Sequence, residues 1–360
     1  TMALQNFLRT MVRGSARTAS RTVKAVITGA SGFLGTHLAR ALVARGNRVT
    51  ALVRPSSDCR ELAALDIELA EGDVTLADTL ARAVAGVDVV YHLAGLVKAF
   101  SLTEFLRVNE QGTRILAEAC ASRTTPPVLV AVSSLAAAGP SPAGRPRTEL
   151  DPPQPISNYG LSKRAGELAA AALADRLPLS IVRPPIVFGP RDSSMLPLFR
   201  SIARRGLHAV PGSVPRRLSL IHVSDLVAAL VAVAERGTRV APATSDDGLG
   251  TPGHYYVADD ACPTFDELGQ LIGRAVGREQ VRVLHTPHWL DYTAARLLEI
   301  VARLRGRQVI FNVDKIREGF AGSWTCSSER IRGELAFAVG ASLDERMRET
   351  GEWYRREGWL

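Results

Sequence analysis

The segment that decides the fold reads Thr22-Val-Lys-Ala-Val-Ile-Thr28, followed by Gly29-Ala-Ser-Gly32-Phe-Leu-Gly35. Its first part is rich in β-branched residues and ends at a glycine, which is typical of a buried strand. The residues that follow, to about Arg45, have a helical pattern. A glycine-rich turn between a strand and a helix predicts a phosphate-binding turn, because glycine lets the backbone come close and the helix N-terminus offers free N–H groups.

Strands and helices alternate through the first half of the chain, with further strands predicted over 48–53, 67–71, 87–92, 128–132 and 179–183. This alternation predicts an α/β protein with a doubly wound parallel (Rossmann) sheet. The pattern loosens beyond Gly189, and a strand over 254–258 is predicted to rejoin the sheet. Helices over 266–276, 290–304, 327–335 and 343–356 predict a smaller, mostly helical C-terminal substrate lobe. The cofactor domain would then comprise 23–190 and about 218–260, and the lobe about 191–217 and 261–360.

The residues that follow the second and third strands bear on the choice of cofactor. Arg54 and two serines stand where an acidic residue would hold the ribose 2′-hydroxyl of NAD. An arginine suits a 2′-phosphate instead, so the sequence favours NADP, with NAD as the alternative. Asp73 is placed to meet the adenine amino group, and a helix N-cap is its alternative role. His92, at the end of the fourth strand, is expected to be a core residue, and Asn109 is expected to brace neighbouring backbone.

Tyr159 and Lys163 stand four residues apart at the start of a helix-forming run, so they share one face of the helix. A phenol has an unperturbed pKa of about 10, and a nearby ammonium favours the phenolate. The pair could exchange a proton with a substrate, although such pairs are also common on ordinary helix surfaces. Ser133 and Ser134 end the fifth strand, at the edge of the sheet where ligands bind.

Composition excludes several classes of protein. The chain has 360 residues, of which 46% are hydrophobic and 22% charged, as in soluble globular proteins. Its longest apolar run, Leu226 to Ala234, is far shorter than the roughly 20 residues of a membrane span. The four scattered cysteines predict neither disulfides nor a metal site and suit the cytoplasm. The sequence contains no basic patch with interleaved aromatic residues, so it does not predict nucleic-acid binding.

The N-terminal residues 1–22 are basic, with Arg9, Arg13, Arg17 and Arg21 at every fourth position and no acidic residue before Asp58. One interpretation is an organellar targeting segment or an arm for peripheral contact with an anionic membrane. The other is an extension left by processing or cloning. The sequence leaves both open.

The motifs together resemble the extended short-chain dehydrogenase/reductase family over about residues 23–358. They are Thr28-Gly-Ala-Ser-Gly-Phe-Leu-Gly35, Asp73, Ser134, Tyr159-x-x-x-Lys163 and Arg183-Pro-Pro185. The last motif and Arg54 are most similar to the branch of 3β-hydroxysteroid dehydrogenases and dihydroflavonol reductases. The resemblance implies that Tyr159 donates or accepts the proton, that Lys163 holds the nicotinamide ribose and lowers the pKa of Tyr159, and that Ser134 holds the substrate oxygen. Ser133 remains a competitor for that last role.

The resemblance also implies two sets of contacts and, since family members often pair through helix faces, a homodimer. The cofactor set is Gly29, Ser31, Gly32, Phe33, Leu34, Gly35, Arg54, Asp73, Val74, Leu93, Ala94, Gly95, Lys163, Pro185 and Val187. The substrate set is Lys98, Ser133, Ser134 and Tyr159.

The expected reaction is hydride transfer between NADP(H) and a secondary alcohol or ketone of a fairly apolar small molecule, such as a steroid-, flavonoid- or ketoacyl-like compound. Dehydration is disfavoured, because Leu135 and Ala136 replace the acidic pair of the dehydratases. One alternative is an NAD-dependent nucleotide-sugar epimerase, in which Arg216 and Arg217 bind the diphosphate. The other alternative is a non-catalytic cofactor-binding subunit.

One helix of the predicted lobe has two interpretations. Leu290, Ala294, Leu297, Leu298, Val301 and Leu304 form one stripe, with arginines elsewhere. Such a stripe predicts packing into the core, and a lipid-facing flap is the alternative.

Overall fold

The computed structural model describes residues 22–242, 252–305 and 313–360. The basic extension predicted over residues 1–22 therefore lies outside the described residues, except for Thr22. The strands are β1 (Lys24–Thr28), β2 (Arg48–Val53), β3 (Glu68–Glu71), β4 (Val89–His92), β5 (Val128–Val132), β6 (Leu179–Arg183), β7 (Ile186–Phe188), β8 (Leu207–Pro211), β9 (Leu220–His222), β10 (His254–Tyr256) and β11 (Arg282–Thr286).

The helices connect and cover these strands. They are α1 (Phe33–Ala44), α2 (Arg60–Ala63), α3 (Ala77–Ala83), α4 (Leu102–Leu106), α5 (Thr113–Ala121), α6 (Asn158–Ala171), α7 (Leu196–Arg205), α8 (Val223–Arg236), α9 (Phe265–Ala275), α10 (His288–Leu304), α11 (Val313–Phe320), α12 (Glu329–Leu335) and α13 (Leu343–Arg356). A π-helical turn, Arg107–Gly112, joins α4 to α5, and a 3₁₀ turn, Leu135–Ala137, follows β5.

Seven strands form one parallel sheet in the order β10-β6-β5-β4-β1-β2-β3. The chain starts at β1 in the middle, extends to β3 on one side and then to β10 on the other. This is a doubly wound Rossmann-type sheet, as predicted, and β10 rejoins it. The order reverses between β1 and β4, so their carboxyl ends open a crevice of the kind in which ligands bind.

Both faces of the sheet are covered, and for this reason the strands read as continuous apolar runs. Successive side chains of β1 point to opposite faces. Ile27 packs with Leu38 of α1 and Leu230 of α8 on one face, whereas Val26 packs with Leu116 of α5 on the other.

The predicted lobe contributes most of a further apolar cluster, which includes Phe199 of α7, Ile272 of α9 and Met347 of α13. Two short parallel pairs, β8 with β11 and β7 with β9, accompany these helices. The boundary is less simple than predicted, because Ile331 and Leu335 of α12 pack with the cofactor domain. The division of the chain into two domains otherwise stays a prediction.

The predicted burial of the apolar stripe of α10 is wrong. Leu290, Leu297, Leu298, Val301 and Leu304 are all exposed. The helix instead turns its small residues inward, with Ala295 and Ala302 buried. Among the described residues, no helix is both long enough and apolar enough to cross a membrane.

Helix α6 lies against the backbone of the 3₁₀ turn after β5. A Cβ atom on Gly160 would lie 2.4 Å from the carbonyl oxygen of Ala136, so only glycine allows this approach. Ser157 caps the helix, its hydroxyl accepting a hydrogen bond from the backbone N–H of Gly160 at 3.0 Å. The glycine therefore fixes the distance between the first turn of α6 and the end of β5.

We expect Gly160→Ala to lower the free energy of unfolding by about 1–3 kcal/mol, because a backbone atom has to move to admit the methyl group. The matched control is Gly333→Ala, since Gly333 lies within α12 and nothing surrounds its Cβ position. That control should gain about 0.5–1 kcal/mol. Denaturant titration of both variants measures the two effects. Equal stability changes would contradict the close approach.

Candidate active site

The turn between β1 and α1 is shaped for close contact with a ligand. Gly29 has a φ of +72°, and a Cβ atom there would lie 2.7 Å from the backbone nitrogen of Ala94. Gly32 precedes α1 with extended backbone and donates to the carbonyl of Gly29 at 3.1 Å. No side chain caps this helix and no acidic residue lies in its first turn. The N–H groups and positive dipole end are therefore available to an anion such as a pyrophosphate.

The loop after β4 runs beside Lys163. A Cβ atom on Gly95 would lie 3.0 Å from Asn109 Oδ1 and 3.6 Å from Lys163 Nζ. Asn109 Oδ1 accepts from the N–H of Leu96 at 2.7 Å, and its Nδ2 donates to the carbonyl of Leu96 and the hydroxyl of Ser162, both at 2.9 Å. Asn109 thus braces this loop against α6, as predicted, from a π-helical turn of the kind that often marks functional sites.

The structure brings Ser134 and Tyr159 together: the Ser134 hydroxyl lies near enough to the Tyr159 phenol to lower its pKa. The Ser134 hydroxyl also accepts from the N–H of Ala136 at 3.1 Å. The neighbouring Ser133 is buried, and its hydroxyl has no hydrogen-bond partner among the described residues. Of the two serines, Ser134 is the one whose hydroxyl acts on the pKa of Tyr159.

Burial, opposed by the hydrogen bond from Ser134 and assisted by the charge of Glu318, raises the pKa of Tyr159 to about 12. Burial also lowers the pKa of Lys163 to about 8, although the charge of Glu167 opposes the shift. The Lys163 ammonium donates to the carbonyl of Val132 at 2.7 Å. The expectation that Lys163 lowers the pKa of Tyr159 is therefore not met in this structure, because burial dominates and the ammonium bonds elsewhere. Tyr159 is protonated at neutral pH.

Beneath α6 lies a buried ion pair between Glu167 and Arg183. Nε and Nη2 of Arg183 donate to the two carboxylate oxygens at 2.7 and 2.6 Å. Burial alone would raise the pKa of Glu167, but the charge and hydrogen bonds of Arg183 lower it to about 2. Arg183, the first residue of the Arg-Pro-Pro motif, therefore anchors the catalytic helix to the end of β6.

Arg54 and Asp73 lie at the other end of the crevice. Arg54 is exposed beyond β2, and its N–H donates to the Ser57 hydroxyl at 3.1 Å. Asp73 Oδ1 accepts from the N–H and hydroxyl of Thr75, both at 2.8 Å. Burial opposes ionisation of Asp73, but these bonds and the charges of Arg54 and Arg107 hold its pKa below the usual value. Leu76, not Asp73, occupies the N-cap of α3, so the helix-cap alternative is wrong.

Arg107 is a cation that the sequence interpretation missed. It lies in the π-helical turn and acts on the same carboxylate as Arg54. An arginine inside a helical run carries no signal of its own, because only the fold brings that turn beside the end of β3.

The other residues that the sequence singled out lie along the ends of the strands and at the start of α1. Phe33 and Leu34 open α1 after Ser31, and Gly35 lies in its first turn. Val74 is buried against Gly112. Leu93 donates to the carbonyl of Thr28 at 3.1 Å. Pro185 lies between β6 and β7, and Val187 lies within β7. His92 is a core residue, as predicted, with its ring nitrogens 2.7 and 2.9 Å from the hydroxyls of Thr28 and Thr113.

Lys98 lies in the loop after β4, and no hydrogen bond or ion pair joins it to Ser134, Tyr159 or Lys163 among the described residues. Its substrate-binding role stays a prediction.

Helix α11 was absent from the sequence interpretation, yet it lies against the start of α6. Asp314 accepts a hydrogen bond from the N–H of Asn158 at 2.7 Å, and Glu318 accepts one from the Ser157 hydroxyl at 2.5 Å. Lys315 Nζ lies 5.5 Å from the centroid of the Tyr159 ring and 2.6 Å from Glu318. In the sequence, the spacing of Lys315 and Glu318 is an ordinary helical pair, so nothing there distinguishes these residues.

Arg216 and Arg217, the two arginines considered for diphosphate binding, both donate hydrogen bonds within the protein. Arg216 is buried, donates to the carbonyl of Pro211 at 2.8 Å and lies over the ring of Phe320. Arg217 Nη1 donates to the carbonyl of Cys262 at 2.8 Å. The sequence observation in favour of an epimerase therefore loses its main support.

Comparison with known proteins places this site in a family. Residues 25–245 match the model of the NAD dependent epimerase/dehydratase family. The chain is 36% identical over 334 residues to a ceramide reductase of Caulobacter vibrioides, covering 93% of this chain and 95% of that one. It is 30% identical over 333 residues to the 4-hydroxy-2-methyl-3-oxo-4-farnesyl-3,4-dihydroquinoline-1-oxide ketoreductase of Stigmatella aurantiaca, covering 84% and 93%.

The fold recurs in a solved structure of the UDP-glucose 4-epimerase of Thermotoga maritima, with a TM-score of 0.73 and 18% identity, covering 93% of this chain and 99% of that one. This likeness concerns the fold alone. Both of these relatives are named reductases, and the chain is an enzyme of the dehydrogenase/reductase type. The matched segment contains β1 to β6, six of the seven strands of the parallel sheet, together with Ser134 and Tyr159, and the chain belongs to the NAD dependent epimerase/dehydratase family.

Proposed function

We propose that this enzyme uses NADPH to reduce a ketone on an apolar, lipid-like molecule to a secondary alcohol. The observation that carries the proposal is the position of Ser134 beside a Tyr159 that burial keeps protonated, on a helix that lies against Ala136. A phenol in that state is a proton donor next to a second hydroxyl that can hold a carbonyl oxygen.

The residues around the crevice fit a dinucleotide. The close contact of Gly29 with Ala94 and the uncapped start of α1 suit a pyrophosphate, and Lys163 beside Gly95 suits the nicotinamide ribose. Arg54 and Arg107, both near Asp73, suit a ribose 2′-phosphate. These two cations support NADP over NAD.

Each residue has a distinct part in the proposed reaction. When bound, the cofactor supplies the hydride that adds to the carbonyl carbon. Ser134 donates a hydrogen bond to the carbonyl oxygen, and Tyr159 transfers its proton to that oxygen as the alcohol forms. The ammonium of Lys163, which lies beside Gly95, would hold the cofactor ribose. Tyr159 regains its proton from solvent before the next cycle.

The substrate class rests on the relatives. The names of the two reductases contain ceramide and a farnesyl-bearing quinoline, both of which have long apolar chains. We therefore propose an amphipathic ketone with a long hydrocarbon chain, and the keto form of a ceramide is the first compound to test.

We expect Tyr159→Phe to lower turnover by about 10²–10⁴-fold with unchanged NADPH affinity, since the variant loses only the proton donor. Ser134→Ala should lower turnover about a hundredfold. Its matched control is Ser133→Ala, which should retain activity because the Ser133 hydroxyl has no hydrogen-bond partner among the described residues. NADPH oxidation with a long-chain ketone and cofactor fluorescence titration measure the two quantities. Full turnover in Tyr159→Phe would refute the mechanism.

The choice between NADPH and NADH should depend on Arg54. Arg54→Asp should weaken NADPH binding about 10- to 100-fold, the effect of one charge-assisted hydrogen bond, and should strengthen NADH binding. Arg60→Ala is the control, because this exposed arginine of the same segment pairs with Asp58. Fluorescence titration with each nucleotide gives the affinities. If Arg54→Asp leaves the NADPH affinity intact, Arg54 does not bind the 2′-phosphate.

The use of NADPH should depend on pH through Lys163. In the free enzyme the pKa of Lys163 is lowered to about 8, so its ammonium is lost as the pH rises through that value. We expect kcat/KM for NADPH to be level below pH 8 and to fall about tenfold per pH unit above it. Tyr159 does not cause this decline, because its pKa is raised to about 12. Lys163→Arg should abolish the decline at pH 8, because arginine keeps its charge. An unchanged profile in that variant would exclude Lys163 as the titrating group.

A further inference from the structure

The helix α10 presents large apolar side chains to solvent. The exposed fraction is 68% for Trp289, 59% for Leu297, 55% for Ile300 and 83% for Leu304. Soluble proteins rarely leave such a contiguous group uncovered unless it binds a partner. The small buried face, which includes Ala295 and Ala302, attaches the helix to the protein.

Helical geometry separates the exposed side of α10 into two zones. At 3.6 residues per turn, positions 289, 297, 300 and 304 fall on one side of the helix. Arg296 and Arg303 stand two turns apart along one margin of that side, and both are exposed. Tyr292 lies on the same margin, with its ring 5.2 Å from the guanidinium of Arg296. An apolar face bordered by arginines and aromatic rings is typical of a helix that lies in a membrane interface.

The acidic residues of α10 do not offset this charge on the exposed side. Asp291 is buried and accepts from the Thr286 hydroxyl at 2.9 Å. Glu299 is partly buried and accepts from the N–H of Val313 at 2.9 Å. The exposed ionised groups of this helix are therefore arginines, which attract anionic headgroups. A second copy of the same face would bring its arginines near these ones, so charge favours a lipid surface over self-association.

The exposed helix is connected to the candidate active site. The ring of His288 packs on Phe320 of α11, with centroids 4.4 Å apart. Asp314, on the same helix α11, accepts a hydrogen bond from the N–H of Asn158, the first residue of α6 and the residue before Tyr159. Arg303 also reaches the carbonyl of Phe100, in the loop that follows Lys98, at 3.4 Å. A surface that docks through α10 would lie on the same lobe that covers Tyr159.

We propose that α10 docks this enzyme on an anionic phospholipid bilayer, with Trp289, Leu297, Ile300 and Leu304 inserted at the level of the headgroups and Arg296 and Arg303 bound to phosphates. Binding of α10 to a bilayer does not depend on the proposed reaction. The benefit of that binding, direct capture of a lipid-like substrate from the bilayer, rests on the proposed function.

The test is flotation of the full chain with vesicles of phosphatidylcholine alone or mixed with phosphatidylglycerol. We compare the wild type with Leu297→Ser/Leu304→Ser. The matched control is Leu69→Ser/Leu76→Ser, which removes two exposed leucines of the cofactor domain. We expect the wild type and the control to bind the mixed vesicles, and the α10 variant to bind at least about tenfold more weakly. Arg296→Gln should weaken binding to mixed vesicles and reduce its dependence on salt.

Unchanged melting temperatures with NADPH would show that the variants fold. Reduction of a water-soluble ketone tests the proposed function separately, since it needs no bilayer. Equal flotation of the wild type and the α10 variant overturns the proposal, as does binding that disappears only when residues 1–21 are removed. Loss of a dimer in the α10 variant on sedimentation, with flotation unchanged, would assign the face to self-association and also overturn it.

Discussion

The site depends on how closely α6 approaches the backbone on either side of it. At Gly160 the helix lies against the carbonyl of Ala136, and at Gly166 a Cβ atom would lie 2.2 Å from the carbonyl of Asn109. These two contacts fix the rotation and height of the helix. The rotation directs Tyr159 towards Ser134 and Lys163 towards the carbonyl of Val132. A helix set farther out would lose both arrangements together.

The ion pair between Glu167 and Arg183 holds the same helix from below. Desolvating two charges costs several kcal/mol per ion in an apolar interior, so such a pair is a weak source of stability by itself. The two hydrogen bonds between Arg183 and Glu167, however, fix the orientation of one side chain relative to the other. Arg183 also lies 3.4 Å from the Tyr256 hydroxyl. The pair is best understood as a positioning device that aligns α6, β6 and β10.

The sequence predicts what depends on local pattern and misses what depends on contact between distant segments. The turn at Gly29 and the pair Tyr159–Lys163 are local, and the parallel sheet follows from the alternation of strands with helices. The position of Arg107, however, depends on long-range packing, and so does the contact of Lys315 with the Tyr159 ring. The stripe of α10 fails for a different reason, because periodicity shows that a face is apolar but not what covers it.

The contact between α11 and α6 limits how independent the two lobes are. The charge of Glu318 contributes to the raised pKa of Tyr159. Part of the acid strength of the tyrosine is therefore determined by α11, which lies in the region that was expected only to select the substrate. Exchanging this lobe between relatives would preserve Ser134, Tyr159 and Lys163 and still change the proton affinity of the donor. Chimeric enzymes of this family should therefore inherit pH behaviour from the lobe as well as specificity.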